Sequence, residues 1–372
     1  MKVGIDGTFI TPVHQGGKDQ VILNLLKGFE AIGASGSLIV ACDSRAEGLF
    51  AASAPSARRI PIAMGGRDGR PAPLVRRNWA RTFEIPGKLL GAGAEFILFP
   101  SYNTSLRRLP VPSAVIPHDL QPKVRRDSFS FRGRVGKNAY LAADFLFRDS
   151  IIAVSDYDAG TIKEFYPQYA RKVVRIYNPI ALSPEAVPSP KEPLILAVNT
   201  QFPHKNTMTL IQAFEQLLDV FPHRLFLVGR PSSYGTSLME YVERRPRLSG
   251  RVEFPGFLSD NDLDRLYRTC DLYVNPSLFE GFGMTAVEAM IKGAPVLVAD
   301  VAANREVTAG LCGYYAPAES SDVLASAMAD TLRRPYDPGE AERKAHILHG
   351  RYNASTIARE YWAFFERTLR RS

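Results

Sequence analysis

Two glutamates eight residues apart, Glu280 and Glu288 in NPSLFEGFGMTAVEAM, carry the sharpest chemical signal in the sequence. A carboxylate is a poor phosphate ligand but a good acceptor for sugar hydroxyls. Between the two stands Gly281-Phe282-Gly283, and helical spacing begins near Met284 and stops at Gly293. Glycines let backbone come close to a ligand, and the first-turn N–H groups and macrodipole of a helix attract phosphate. Together they suit a sugar carried on a phosphate. The ordinary alternative is a strand–helix turn with two surface glutamates. The Gly-Phe-Gly and the buried strand PVLVAD that follows weigh against it. A second candidate is His118, at the end of the run SAVIP and followed by Asp119, which could orient it. That is the carboxyl edge of a predicted parallel strand, where doubly wound folds place ligands. Two Asp-x-Asp pairs, Asp156 with Asp158 and Asp260 with Asp262, could hold a divalent metal. Each follows a serine, Ser155 or Ser259, in capping-box register, and capping is the preferred reading.

The elements that must position these residues alternate along the chain. KVGIDGTFI reads as a strand, VILNLLKGFEAIG as a helix ending at Gly33, and SLIVAC as a second strand, a βαβ unit. EFILFP, SAVIPHD, SIIAVSD and KVVRIYNP are further strands. Residues 55–73, rich in Pro, Gly and Arg, read as a long mobile loop. Residues 179–193 hold five prolines and mark a domain boundary. The alternation then restarts: LILAVN, a helix over about 207–220, RLFLVG, a helix from about Thr236, RVEFPG, a helix from about Asn261, DLYVNP, the Met284 helix and PVLVAD. STIAREYWAFFERTLRR closes the chain as an amphipathic helix. The expectation is an α/β protein with two doubly wound, Rossmann-like domains facing across a cleft. The expected divisions are 1–180, a linker 181–193, a second domain 194–352, and a helix 353–372 crossing back to the first.

Composition narrows the class. At 372 residues and 23% charged, the chain is neither disordered nor fibrous. No apolar run reaches the 18 residues of a membrane span, and MKVGIDGTFI lacks the apolar core of a signal peptide. Three widely spaced cysteines, Cys42, Cys270 and Cys312, fit buried thiols in a reducing compartment better than disulfides or zinc. The formal net charge of +8 points to an anionic partner. Arg58, Arg59, Arg67, Arg70, Arg76, Arg77 and Arg81 lie beside Trp79 and Phe83. Residues 107–148 hold nine Lys or Arg against three acids, interleaved with Phe129, Phe131, Tyr140, Phe145 and Phe147. No pattern of a nucleic-acid-binding fold accompanies them, so nucleic acid is not expected.

EGFGMTAVEAM resembles the E-x7-E signature of retaining glycosyltransferases of the GT-B fold, the family 4 type also called glycosyl transferases group 1. LILAVNTQFPHKNTMTLIQAF resembles the opening of that family's C-terminal domain, where a lysine, here Lys205 followed by Asn206, binds the donor diphosphate. RLFLVGR, with Gly229, resembles its next strand. VEFPGFLSDNDLDRLYRTCDLYVNPS resembles the segment whose backbone, here around Phe257 and Leu258, frames the nucleotide base. VIPHDLQP and SIIAVSDYDAGTI resemble its His-Asp segment and its serine-capped helix start. The similarity is strongest over 194–318 and patchier over 1–180.

The resemblance implies roles. Lys205 would meet the diphosphate; a cation at a helix start otherwise opposes the helix dipole. Many relatives carry an Arg six residues earlier, where Asn199 stands, and Arg230 is a substitute cation. Glu280 would accept hydrogen bonds from the donor sugar and Glu288 from the ribose. Backbone N–H groups at Gly281, Phe282, Gly283 and Met284 would cap sugar and phosphates. Gly16 and Gly17 would let the first loop approach diphosphate or acceptor. His118 would touch the transferred sugar or the acceptor, and His204 would be local structure. The expected enzyme is a retaining, metal-independent hexosyltransferase without a cofactor. It would use a GDP- or UDP-linked donor and a glycan or polyprenyl-diphosphate-linked acceptor, in polysaccharide, lipopolysaccharide or glycolipid assembly. The Lys-Asn form of the diphosphate segment is similar to mannosyl-, fucosyl- or rhamnosyl-transferring members. The basic, aromatic N-terminal half would suit an anionic membrane surface, placing a cytoplasmic protein peripherally on the inner face of the cell membrane. The alternatives are a GT-B enzyme of another reaction, such as an epimerase, and a non-catalytic sugar-nucleotide- or glycan-binding relative. A Rossmann oxidoreductase fits poorly, because Gly91-Ala-Gly93 precedes a strand instead of following one.

Overall fold

Apolar runs four to seven residues long, bounded by turn residues, cannot be left at a surface, and in this chain they become parallel strands covered on both faces. The computed structural model describes residues 1–12, 16–65, 73–102, 105–125, 130–184, 191–198, 202–230 and 232–371. These form two units: Met1–Ala181 with Tyr352–Ser372, and Leu182–Arg351.

The first unit is built on seven parallel strands: β1 (Val3–Gly7), β2 (Leu38–Asp43), β3 (Arg58–Ile62), β4 (Phe96–Phe99), β5 (Ser113–Val115), β6 (Ser150–Ala153) and β7 (Val173–Arg175), in the order β3-β2-β1-β4-β5-β6-β7. β1 is flanked by β2 and β4, so the winding reverses there, and ligands of such folds lie beyond the carboxyl ends of strands at that point. β3 corrects the expectation of a loop over 55–73. It is an edge strand with Arg58 and Pro61 exposed, and an edge tolerates a proline that a central strand would not. The Gly17–Ala31 helix starts four residues earlier than its apolar run, because Asp19 accepts the Gly16 N–H at 3.0 Å and caps the end. The last helix, Ala354–Leu369, packs on it, with Phe365 against Phe29 and Phe96 at ring separations of 6.2 and 4.8 Å. Where chain re-enters this unit, Ile180 and Tyr352 share a backbone hydrogen bond of 2.8 Å.

The second unit holds β8 (Glu192–Val198), β9 (Arg224–Val228), β10 (Val252–Gly256), β11 (Cys270–Asn275), β12 (Val296–Ala299) and β13 (Gly313–Tyr315), all parallel, in the order β10-β9-β8-β11-β12-β13. Ile195, Leu227, Leu272 and Leu297 from the sheet meet Leu210, Phe214, Leu324 and Met328 from the helices. The reversal falls between β8 and β11. The loops leaving those two strands therefore share one edge. The helix expected over 207–220 is regular only over Thr207–Glu215 and closes in tighter turns, Leu217 N–H to the Phe214 carbonyl and Val220 N–H to that of Leu217. Pro222 disfavours helical backbone before it. Both Asp-x-Asp pairs sit in caps: Ser155 and Ser259 accept the N–H groups of Asp158 and Asp262 at 2.9 and 3.2 Å. Cys42 and Cys270 are buried strand residues, and Cys312 is half-buried.

Candidate sugar-nucleotide site

Lys205 ends a short turn, Pro203–Lys205, on the connection from β8, and Glu280 lies on the loop leaving β11. Strand order brings these residues, 75 apart in sequence, into an ion pair with Lys205 Nζ at 2.7 Å from Glu280 Oε1. The anion that a cation before a helix needs is thus a carboxylate of the chain itself. Asn206 follows in left-handed backbone, φ 56°, a conformation asparagine tolerates. It is held by Nδ2 donating to the Ala318 carbonyl at 2.8 Å and Oδ1 accepting from Thr209 at 2.7 Å. Asn275, the last residue of β11, points Nδ2 at the same Glu280 oxygen from 3.4 Å.

Gly283 precedes the Met284–Ile291 helix with φ 85°. That backbone conformation favours glycine, and a Cβ there would in addition crowd Asn304 Oδ1 at 3.2 Å. Phe282 is buried and anchors the turn in the unit's interior. The first N–H groups of the helix have no acceptor within it, which suits an anion. Glu288, one turn in, accepts from the Tyr267 hydroxyl at 3.3 Å. Burial pushes its carboxyl up to about 7, which the Tyr267 hydrogen bond opposes and the Asp260 charge reinforces. Tyr273, whose ring lies 5.8 Å from that of Tyr267, donates to Thr285 at 2.7 Å.

Arg230 stands over the Phe257 ring at 5.2 Å, and Phe257 is 57% exposed. Gly229 N–H donates to the Gly256 carbonyl at 3.0 Å, which ties the loops carrying them together; Leu258 follows, half-buried. Asn199 lies outside the described residues.

In the first unit, His118 follows β5 in left-handed backbone, φ 67°. Its ring is buried, with Nε2 2.7 Å from the Pro100 carbonyl. Burial and the nearby Lys18 charge push its pKa down to about 3. A neutral ring that donates Nε2–H to a carbonyl offers Nδ1 as an acceptor. The orienting partner is therefore Pro100, a correction to the expectation for Asp119, whose carboxylate accepts the Gln121 N–H at 3.0 Å. His204 is stacked on Phe202, rings 5.9 Å apart, and its carbonyl accepts the Leu278 N–H. Gly16 and Gly17 have open space where a Cβ would go, and Gly16 has an ordinary φ of −104°, so the fold itself does not require glycine at either position.

Sequence reasoning missed Asp6 at the end of β1. Its Oδ1 accepts both the N–H and the hydroxyl of Thr8, at 3.0 and 2.7 Å, and burial raises its pKa. With Arg81, Pro100 and Tyr102 it lines a small polar cavity. The signal available was an aspartate two residues before a threonine at the end of the first strand.

The basic and aromatic stretches divide in the fold. Leu74, Val75, Trp79, Phe83, Phe131 and Val135 are exposed, with Arg76 over Trp79 and Arg107 over Phe83. Asn78 and Tyr140, 3.4 Å apart, link their helices. Phe145 and Arg148, counted with that face in the sequence, are instead buried. Arg148 donates to the carbonyls of Ser105 and Arg107, and burial pushes its pKa down to about 10. Arg67, Arg70 and Phe129 lie outside the described residues. Among the described residues no group of three or more His, Cys, Asp or Glu could hold a metal, and no helix is long and apolar enough to cross a membrane.

A sequence model of the family described as glycosyl transferases group 1 matches residues 192–334. The O-antigen chain mannosyltransferase RfbU of Salmonella typhimurium is 30% identical over 206 residues, 54% of this chain and 55% of that protein. The chain spans about half the length of the first curated relatives it matches. Among solved structures, sucrose-phosphate synthase from Thermosynechococcus elongatus superposes with a TM-score of 0.75 over 100% of both chains at 18% identity. Anabaena HepE in complex with UDP and glucose superposes with a TM-score of 0.72 over 98% of this chain and 99% of that one, also at 18% identity.

Proposed function

We propose, from the match of residues 192–334 to the glycosyl transferases group 1 model and the GT-B fold of the structural neighbours, that the protein is a retaining glycosyltransferase. It moves a hexose from a nucleoside-diphosphate donor to a glycan or lipid-diphosphate-linked acceptor. The observation that carries this reading is the Lys205–Glu280 pair on the two loops at the strand reversal, beside the glycine turn of the Met284–Ile291 helix.

In this reading the Lys205 ammonium has three donors and engages a diphosphate oxygen without releasing Glu280. The helix N-terminus adds its N–H groups, and the two stabilise the charge that grows on the diphosphate as the C1–O bond breaks. Glu280 accepts from the sugar hydroxyls and Glu288 from the ribose. The acceptor hydroxyl bonds to C1 on the face the diphosphate leaves, and its proton passes to the departing phosphate oxygen. The protein's task is then position and charge, and positive charge from Lys205 and the helix takes the place of a metal ion. Neutral His118 offers Nδ1 to a hydroxyl of the sugar or the acceptor.

Mannose is the sugar we assign, in O-antigen-type or related polysaccharide assembly, because the relative RfbU is named an O-antigen chain mannosyltransferase. The exposed aromatic and basic face of the first unit supports a peripheral position on the inner face of the cell membrane, with the acceptor bound by that unit. A thermal-shift screen against GDP, UDP, ADP and dTDP tests the donor assignment. A binding nucleotide raises the melting temperature, GDP most. No shift with any of the four overturns the assignment, and loss of turnover in EDTA overturns metal independence.

A further inference from the structure

The side-chain amide of Asn275 is engaged at both ends. Oδ1 accepts the Ser277 N–H at 3.2 Å, which fixes the amide's orientation and turns Nδ2 to Glu280 Oε1, 3.4 Å away. Asn275 is 5% exposed, so the amide has no water to turn toward. The loop it starts is tied to the Lys205 turn: Leu278 N–H donates to the His204 carbonyl at 2.9 Å, and the Ser277 hydroxyl lies 3.4 Å from the same oxygen. Glu280 Oε1 is therefore held between an ammonium and an amide. No hydrogen bond within the described residues engages its other oxygen, Oε2.

We propose that Asn275 is a positioning residue for sugar recognition. It holds Glu280 Oε1 against Lys205, so that Oε2 is presented to the hydroxyls of the donor sugar. The inference rests on the reading of Glu280 as the sugar's acceptor group. It singles out asparagine among residues of its size. Aspartate would keep the Ser277 bond but turn a carboxylate toward a carboxylate, and alanine would lose both contacts.

Calorimetric titration of the full chain with GDP and GDP-mannose, and with UDP and UDP-glucose, tests this. Glu280→Gln calibrates the sugar's share of affinity. Asn275→Ala is expected to weaken the sugar nucleotide about tenfold, the loss of roughly one hydrogen bond to a charged group, and to leave the bare nucleoside diphosphate nearly unchanged. Asn275→Asp, isosteric and able to keep the loop bond, is expected to bind the sugar nucleotide more weakly than Asn275→Ala at pH 8. It should recover as pH falls and the two facing carboxylates take up a proton. A purely structural role would spare Asn275→Asp at every pH, or would weaken diphosphate and sugar nucleotide alike; either result overturns the inference and leaves the function standing. If Glu280→Gln binds sugar nucleotide as well as the unaltered protein does, the role of Glu280 fails and Asn275 has nothing to position.

Discussion

Glu288 is a carboxylate that the fold withdraws from water, and its proton inventory has a sign that can be measured. Its ordinary value of 4.5 is raised to about 7 by burial. Between those values the folded chain holds a proton that the unfolded chain has released, so this group's contribution to stability falls as pH rises from about 4.5 through 7. At pH 5 the protonated side chain resembles a glutamine. At pH 8 it is a half-buried, poorly solvated charge with one tyrosine hydroxyl donating to it. Glu288→Gln is therefore expected to match the unaltered protein in urea unfolding at pH 5 and to be the more stable of the two at pH 8. Equal stability of the two at both pH values would show that Glu288 is better solvated than its surroundings indicate. If Glu288 accepts the ribose hydroxyls as an ion, nucleotide affinity rises over the same pH range in which stability falls. This opposition would be expected of a group whose unfavourable burial is relieved by its ligand.

At the scale of elements, Gly28 decides how closely two helices meet. A Cβ built there lies 2.2 Å from the Ala354 carbonyl oxygen and 3.0 Å from the Ala358 methyl. Backbone, not the end of a flexible side chain, is in the way. Gly28→Ala must push the Ala354–Leu369 helix off Gly17–Ala31 and loosen Phe29, Trp362 and Phe365. The expected cost is about 1–3 kcal/mol, read as a lower urea midpoint, despite the better helix propensity of alanine. A midpoint at or above that of the unaltered protein would mean the two helices separate without strain. Elements of this kind show how legibility varies. The buried strands could be read because continuous apolar runs between turn residues have few other uses. β3 was missed because an exposed edge strand with Arg58, Arg59 and Pro61 has the composition of a loop, and β13 because Gly313-Tyr314-Tyr315 lacks the aliphatic run that marks the equally short β5 and β7. Lys205 and Glu280 could each be picked out by chemistry and resemblance, but their ion pair depends on β8 and β11 being neighbours, which no local spacing states. Asn275 and Tyr267 escaped notice because each acts on a glutamate that only the fold brings to it. Asp6 has its partner Thr8 two residues away, and what the sequence hides is the cavity it shares with Arg81 and Tyr102.

At the scale of the whole molecule, the formal charge of +8 is not spread as a uniform field. Part of it is internal: Arg148 lies buried against backbone carbonyls, and Lys205 faces Glu280. A further part frames exposed apolar side chains on the first unit, where Val75 is 82% exposed beside Arg76 and Arg77, and Phe131 stands beside Arg132 and Arg134. Exposed apolar groups with guanidinium groups beside them would suit the proposed position on acyl chains under anionic head groups. Such binding has two separable components. The charged component is screened by salt and the apolar one is not. In flotation with vesicles of phosphatidylglycerol and phosphatidylcholine, the protein is expected to rise with the anionic vesicles and remain below with phosphatidylcholine alone. Raising the salt to about 0.5 M, where the screening length falls to several ångströms, should release much of it. The double variant Val75→Ser with Trp79→Ser keeps every arginine, so it should bind about tenfold less at low salt through loss of apolar burial, with the salt dependence preserved. If the double variant floats like the unaltered protein, arginines alone hold the surface and no side chain enters the lipid. If neither protein floats, the exposed face serves a partner other than the bilayer, while the donor site on the second unit is untouched by that result.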